Sequence, residues 1–310
     1  MFSIDEIKEI LNRYSIGQFK QFGEIKKDDE NSFGQIVETD IGIFFIKVLR
    51  RFDNGILQSI KVAHELYEKW FPTYKTYLTK EWNICLNYEK KQIIFYEFIK
   101  NLEWDWRDLN IEEIKDYARV LAKFHKLTKS LEIQSTTSGT YENIKLLVNE
   151  IYLKRGLFNQ EIQNILIYMK NEIAELICPE NEYVTWFYSE YNPGHIMFEN
   201  NKVKYVIDWD IGKEHAFYDY GSSMVACFST DWTVFYPEKL REFVLSYNKE
   251  RELSEWEKDN LFEAFKFGVI KYGAWRLVNL EIKEVNPHQL NKLNYLISLN
   301  KKTFNDMIDF

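Results

Sequence analysis

One short stretch of the chain holds several side chains that can bind a metal ion or move a proton. Glu190 and His195 lie five residues apart, and Pro193-Gly194 predicts a tight turn between them. Asp208 and Asp210 stand at the end of an apolar run that follows. Carboxylates and an imidazole gathered in this way are suited to hold one divalent cation beside a reacting hydroxyl group.

The segment between His195 and Asp208 predicts how these groups meet. Asn200-Asn201 separates two β-forming runs and predicts a hairpin turn. The hairpin folds Asp208 back toward the loop that carries Glu190 and His195. If the strand stays extended, Asp208 and Asp210 lie on the same side of it. The alternative is that each aspartate only caps the turn that follows, and Asp210 is the weaker metal candidate.

A lysine in the most apolar run of the chain is a second candidate. Lys47 lies within the run 41–49, where an ammonium group is costly unless it has an anionic partner. One interpretation is an edge lysine whose charged end reaches solvent. The other is a lysine that holds phosphate groups, with Glu65 in the following helix as its partner.

Bulk composition limits the class of protein. The chain has 310 residues, 45% hydrophobic and 28% charged, which is typical of a soluble globular protein long enough for two lobes. The net charge of −8 argues against a general nucleic-acid binder and favours a cationic partner or a solvated acidic surface. No apolar run is long enough for a membrane span. Three widely spaced cysteines predict reduced thiols in a cytoplasmic protein.

The chain changes character after about one third of its length. The predicted strands are 18–25, 33–38, 41–49, 82–88 and 92–98, with one helix at 58–71. The predicted helices that follow are 111–128, 143–156, 160–177, 221–230, 237–250, 254–279 and 287–308. We therefore expect an α+β fold with a β-rich lobe at 1–100 and a helical lobe at 101–310, the hairpin lying inside the second.

Three other polar residues are interpreted structurally. Asp219 is predicted to cap the N-terminus of the helix at 221–230. His125 is predicted to lie in the core, and His215 has no spacing that indicates a ligand.

These motifs resemble the aminoglycoside phosphotransferase and choline kinase family, whose fold is similar to that of protein kinases. The family motif is His-Gly-Asp, four residues, Asn, a hairpin, and Ile-Asp-Trp or Ile-Asp-Phe. Here it appears as Tyr188-Ser189-Glu190, four residues, His195, the hairpin, and Ile207-Asp208-Trp209. The resemblance covers roughly residues 15–280 and extends to bacterial spore-coat proteins and antibiotic kinases that are similar to this family.

The resemblance implies a two-lobed kinase-like fold and an ATP- or GTP-dependent phosphotransferase that uses Mg²⁺. Lys47 with Glu65 would hold phosphates, and the segment Glu97, Phe98 and Ile99 would be the hinge that binds the nucleotide base through its backbone. His195 and Asp208 would hold the metal. The acceptor would be a hydroxyl of a small molecule such as an amine, a sugar or an aminoglycoside.

The catalytic position departs from the family pattern. Glu190 stands where the family has its catalytic Asp, so its carboxylate extends about one methylene farther, and errors near 1 Å can cost on the order of 10²-fold in rate. A carboxylate can still orient a hydroxyl, because positioning and electrostatics dominate phosphoryl transfer. The alternative is a catalytically weak kinase-like protein with a binding or structural role.

Aromatic residues such as Trp104, Trp106 and Trp232 could line a site for a cationic acceptor, or pack in the core.

Overall fold

The computed structural model describes residues 2–26, 32–50, 54–100, 108–131, 139–176, 184–188, 191–228, 236–278 and 287–309. The chain divides into two compact units, Met1–Glu103 and Trp104–Phe310.

The first unit is built on an antiparallel sheet. Its elements are α1 (Ile4–Leu11), β1 (Phe19–Lys26), β2 (Ser32–Thr39), β3 (Ile43–Leu49), α2 (Asn54–Glu68), β4 (Thr76–Tyr77), β5 (Leu86–Tyr88) and β6 (Lys91–Glu97). Among the described residues the strands form one six-stranded sheet in the order β1-β2-β3-β6-β4, with β5 also paired to β6.

Alternation along β3 gives each face of this sheet its own core. Phe44, Ile46 and Val48 face a cluster that includes the buried residues of α1. The intervening positions face the other way, where Leu49 and Phe45 pack with residues of α2. The strand therefore buries apolar side chains on both sides of the sheet. By the same alternation, Lys47 lies on the second face.

The helix α1 is absent from the sequence prediction, which assigned only strands before residue 50. Its start carries a capping box, in which the Ser3 hydroxyl accepts from the Glu6 amide and the Glu6 carboxylate accepts from the Ser3 amide. Ile7, Ile10 and Leu11 are buried at helical spacing. The predicted strand 82–88 is also too long, since Trp82 adopts a φ of 64° in a turn and only Leu86–Tyr88 is extended.

The second unit is mainly helical. Its elements are α3 (Ile111–Thr128), α4 (Tyr141–Leu153), a 3₁₀ turn (Arg155–Leu157), α5 (Gln160–Glu175), β7 (Val184–Tyr188), a 3₁₀ turn (Pro193–His195), β8 (Ile196–Glu199), β9 (Lys202–Val206), β10 (Ile211–His215), α6 (Ala216–Phe228), α7 (Pro237–Glu250), α8 (Glu255–Asp259), α9 (Leu261–Leu277), α10 (Pro287–Ser298) and α11 (Lys301–Ile308). The strands form two antiparallel pairs, β8 with β9 and β7 with β10.

Two predicted helices are each divided in the structure. The segment 254–279 contains α8 and α9, which separate at Asn260 because this residue leaves helical geometry with φ −112° and ψ 17°. The segment 287–308 contains α10 and α11, and the side chain of Asn300 caps α11 by accepting from the Thr303 amide. Apolar periodicity continues across both breaks, so it did not reveal them.

The predicted α+β class, with an antiparallel sheet in the first unit and mainly helices in the second, is confirmed. No helix in the described part of the chain combines the length and the hydrophobicity needed to cross a membrane.

Helices α6 and α9 approach each other at two glycines. A Cβ on Gly221 would lie 1.9 Å from the carbonyl oxygen of Ala264, and one on Gly268 would lie 2.3 Å from the carbonyl oxygen of Gly221. Both obstacles are backbone atoms, which a side-chain rotation cannot move. The contact therefore requires glycine at both positions.

We expect Gly221→Ala to lower the free energy of unfolding by about 1–3 kcal/mol, because the added methyl forces the two helices apart. This loss should exceed the gain of about 1 kcal/mol that alanine brings to a helix interior. Gly156→Ala is the matched control, since a Cβ there meets no atom within 4 Å. Urea denaturation measures both, and equal stability of the two variants would contradict the close contact.

Candidate functional site

The loop before β8 fixes the position of His195. The Asn192 side-chain oxygen accepts from the Gly194 amide at 2.9 Å, and the His195 amide donates to the Asn192 carbonyl at 3.0 Å. Pro193 lies at the first position of this 3₁₀ turn, where its fixed φ is favourable. His195 is therefore the last residue of a rigid turn that leads directly into β8.

The predicted hairpin is confirmed. Strands β8 and β9 pair antiparallel, and the turn residues Asn200 and Asn201 have φ values of 52° and 60°. Asparagine tolerates this left-handed conformation, which two-residue hairpin turns require. The hairpin returns the chain to His195, whose carbonyl accepts from the Ile207 amide at 3.1 Å.

The hairpin brings Asp208 beside His195. Asp208 Oδ2 lies 3.5 Å from His195 Nε2, and the two side chains are 49% and 16% exposed. Asp208 has a φ of 62°, so the chain is not extended there and strand alternation does not relate it to Asp210. The condition under which these two aspartates were expected to share a side, an extended strand, is therefore not met. Trp209 between them is buried.

The His195–Asp208 pair fits part of a magnesium site. Adjacent ligands at about 2.1 Å in an octahedron lie roughly 3 Å apart, close to the separation observed here. Within the described residues, no three His, Cys, Asp or Glu side chains form a metal-binding group. The pair would supply two ligands, and Mg²⁺ bound by few protein groups normally keeps waters and substrate phosphates as the others.

The hydrogen bonds of Asn192 also constrain the His195 ring. Because Asn192 Oδ1 accepts from Gly194, its amide nitrogen faces His195 Nδ1 at 3.3 Å and donates to it. Nδ1 is then an acceptor, and the neutral ring carries its proton on Nε2, facing Asp208. Ligation of a cation through Nε2 requires the other tautomer, with the hydrogen on Nδ1, where the Asn192 amide can no longer donate to the ring.

Helix α3 holds the hairpin through a buried carboxylate. Asp116 is 2% exposed and accepts from the Val203 amide at 2.8 Å and from Lys202 Nζ at 3.2 Å. Asn110, the N-cap of α3, donates from its amide to the side-chain oxygen of Asn201 at 3.0 Å. Asp116 is not among the sequence-predicted site residues, although its place between Ile114 and Tyr117, on the apolar face of the predicted helix, was a signal for it.

Asp219 is not the helix cap that the sequence predicted. Helix α6 begins at Ala216, so Asp219 lies inside its first turn, fully buried. Its Oδ2 is 3.1 Å from His125 Nε2. The predicted core location of His125 is confirmed. The error arose because the helix start was placed at Gly221, five residues too late.

His125 is neutral and oriented by a chain of buried donors. Arg251 Nε donates to the Tyr247 hydroxyl at 2.7 Å, and that hydroxyl lies 2.5 Å from His125 Nδ1. Arg251 in turn forms a two-point ion pair with Glu257. Burial lowers the pKa of His125 below its usual 6.5, against the opposing effect of the Asp219 carboxylate. The hydroxyl therefore donates to Nδ1, and Nε2–H donates to Asp219.

In the first unit, Lys47 lies half-buried on β3 between Gly34 of β2 and Ile94 of β6. A Cβ on Gly34 would lie 2.1 Å from Phe45 Cζ, so the Phe45 ring covers this glycine beside Lys47. Glu65 lies on α2 with an exposed side chain. Its pairing with Lys47 stays a prediction.

The predicted hinge follows β6. Glu97 is the last residue of that strand; its amide donates to the Lys75 carbonyl at 2.9 Å, and its carboxylate accepts from the Lys75 amide at 3.3 Å. The Glu97 amide is thus already engaged within the protein. Phe98 and Ile99 follow the end of the strand, and the role of these three residues as a hinge stays a prediction.

Glu190 lies outside the described residues, as do Trp104, Trp106 and Trp232. Of the later aromatic residues, Trp256 packs on Phe217 with ring centroids 5.1 Å apart.

The comparisons with known proteins identify the fold. The sequence matches no protein-family model and, at a significant level, no curated protein. Among solved structures, it is similar to a spectinomycin phosphotransferase in complex with ADP and spectinomycin, at 15% identity and a TM-score of 0.64 over 99% of this chain and 98% of that one. It is also similar to an amicoumacin kinase in complex with AMP-PNP, Ca²⁺ and Ami, at 13% identity and a TM-score of 0.67 over 98% of this chain and 94% of that one.

A microcompartment-associated aminopropanol kinase gives 12% identity and a TM-score of 0.62 over 99% of both chains. These neighbours confirm the kinase-like fold that the resemblance implied. The chain has the protein-kinase-like fold of aminoglycoside phosphotransferases and related small-molecule kinases.

The buried His125 predicts a specific pH dependence of stability. Its pKa is lowered in the folded protein, so below about pH 6.5 the unfolded chain takes up a proton that the folded chain does not. Stability from this group is present above that pH and is lost as pH falls, by up to about 1.4 kcal/mol per pH unit.

The measurement is urea denaturation between about pH 7.5 and 5.5. His125→Gln removes the titrating ring and should lose less stability on acidification than the parent, while carboxylates that do not contact His125 affect both proteins alike. An identical pH dependence would contradict the neutral buried imidazole. An NMR titration of the ring in the unmodified protein gives an independent check, since no protonation is expected near pH 6.5.

Proposed function

We propose that this protein is an ATP- and Mg²⁺-dependent phosphotransferase that acts on a hydroxyl group of a small molecule. The observation that carries the proposal is the His195–Asp208 pair, held 3.5 Å apart by a rigid turn and a hairpin within a small-molecule-kinase fold. The fold alone admits many functions, so this pair is what favours phosphoryl transfer.

The proposal gives each candidate residue a role. Lys47, with Glu65 as its partner, binds nucleotide phosphates, and Glu97, Phe98 and Ile99 bind the base, which is that of ATP or GTP. Bound Mg²⁺ would neutralise charge that develops on the transferred phosphoryl group. Asp208 holds the metal through oxygen, and His195 is the second ligand or the donor that orients Asp208. Glu190 orients the acceptor hydroxyl.

We assign nucleotide binding to residues 1–100 and the catalytic loop and metal-binding hairpin to residues 101–310. The net charge of −8 and the many aromatic residues support a cationic acceptor, such as an amine or an aminoglycoside, bound in part by cation–π contacts. A cytoplasmic location is proposed from the free thiols Cys85 and Cys227.

A second candidate is a kinase-like protein that binds nucleotide or a partner without turnover. Two features favour it: Glu190 stands where related kinases have Asp, and the Asn192 amide beside His195 Nδ1 favours the tautomer whose hydrogen faces Asp208. Calorimetry with ATP and Mg²⁺, followed by ATP turnover on a panel of amines, sugars and aminoglycosides, separates the two. Absence of nucleotide binding at millimolar ATP would overturn both the enzyme and the nucleotide-binding alternative.

We expect Asp208→Ala to abolish turnover, because it removes the only carboxylate of the proposed metal pair. Glu199→Ala is the matched control: it removes an exposed carboxylate of the same hairpin whose contact is with Lys204. Metal-dependent ATP binding and turnover should survive in the control. Equal activity of the two variants would show that Asp208 has no part in the reaction.

Glu190→Asp should retain turnover or raise it, because the shorter side chain restores the carboxylate reach of related kinases. Glu190→Ala should lower kcat by on the order of 10²-fold or more, with little change in the KM for ATP. If ATP turnover is present and Glu190→Ala leaves kcat unchanged, the role assigned to this carboxylate is wrong.

A further inference from the structure

Two buried tyrosines form a reciprocal contact beside the candidate catalytic loop. The Tyr117 hydroxyl donates to the Tyr191 carbonyl at 2.8 Å, and the Tyr191 hydroxyl donates to the Tyr117 carbonyl at 2.7 Å. Their ring centroids lie 4.6 Å apart. Tyr117 is fully buried and Tyr191 is 3% exposed.

The contact joins helix α3 to the turn that carries His195. Tyr191 precedes Asn192, whose side chain and carbonyl organise that turn, and one peptide bond separates Tyr191 from Glu190. Each phenol binds the backbone of the other residue, so both the ring and the carbonyl of Tyr191 are fixed. With one hydrogen bond, the segment at Tyr191 could still rotate about that bond relative to α3. Two hydrogen bonds at separate points prevent this rotation.

Burial makes the contact specific. Burial raises the pKa of both phenols well above the usual 10, so both remain protonated donors. If a carbonyl or hydroxyl here lost its partner, no water could replace that partner, and a buried polar group without a hydrogen bond costs free energy. The Ser223 hydroxyl of α6 also lies 3.5 Å from the Tyr191 carbonyl. The backbone at Tyr191 therefore has one strongly favoured position relative to α3.

We propose that Tyr117 and Tyr191 are positioning residues for phosphoryl transfer, which fix the backbone next to Glu190 and His195 without contacting substrate. This inference rests on the proposed function. Glutamate has one more rotatable bond than the aspartate of related kinases, so movement of the backbone would add to the freedom that its carboxylate already has. Loss of either hydroxyl should therefore affect the chemical step more than nucleotide binding.

The test uses Tyr117→Phe and Tyr191→Phe in the full chain, with Tyr220→Phe as the matched control. Tyr220 lies in the neighbouring helix α6, equally buried, and its hydroxyl has no hydrogen-bond partner among the described residues. Each change removes one buried oxygen and keeps the ring. Hydrogen exchange by mass spectrometry follows the amides of Gly194, His195 and Ile207, which are hydrogen-bonded in the turn and hairpin.

We expect Tyr117→Phe and Tyr191→Phe to speed exchange of these amides by about tenfold. They should also lower kcat by roughly 10- to 100-fold at an unchanged KM for ATP. Tyr220→Phe should change neither quantity. The double variant should lose less than the product of the two single losses, because the two bonds hold the same contact.

Each outcome bears on one proposal. If the unmodified protein has no turnover, the proposed function fails, and the exchange rates still decide whether the tyrosines fix the turn. If turnover is present and Tyr117→Phe keeps a normal kcat, or if Tyr220→Phe produces equal losses, the positioning role is overturned. A fall in kcat with unchanged exchange would also overturn it, since the effect would not pass through the turn.

Discussion

The second unit depends on the buried polar groups by which helix α3 holds the chain around it. Asp116 accepts from the β9 backbone, Tyr117 exchanges hydrogen bonds with Tyr191, and His125 meets Asp219 of α6. The three side chains lie at different positions along α3, and helical periodicity points each of them toward a different partner. The turn, the hairpin and α6 are therefore all positioned by hydrogen bonds to the same helix, α3.

Apolar packing alone would not give this precision. Hydrophobic contacts are non-directional, so a helix can shift by a fraction of an ångström with little loss. A buried carboxylate or phenol has partners at defined distances and angles, and displacement leaves it unpaired in a medium of low dielectric. The polar contacts of Asp116, Tyr117 and His125 thus fix the register of segments that their apolar neighbours hold in place.

The sequence predicted what depends on local pattern. The bounds of α3 and α7 follow from apolar periodicity, and the hairpin follows from Asn200-Asn201, whose backbone preference is intrinsic. Local pattern missed α1, and it placed the start of α6 too late, so that Asp219 was interpreted as a cap. In the structure Asp219 is buried and hydrogen-bonded to His125, which lies 94 residues earlier in the chain. Such pairings are decided by tertiary packing, which one sequence does not display.

The same distinction applies to the candidate site. The proximity of His195 and Asp208 was expected from the hairpin, but the orientation of Asp208 was not, because strand alternation assumes extended backbone. Asp208 instead adopts a positive φ, a conformation that costs free energy in any residue but glycine. It persists because the chain is held on both sides, by the Ile207 amide on His195 and by the burial of Trp209. With this backbone conformation the Asp208 carboxylate lies 3.5 Å from His195, so the flanking anchors, and not strand alternation, account for the pair.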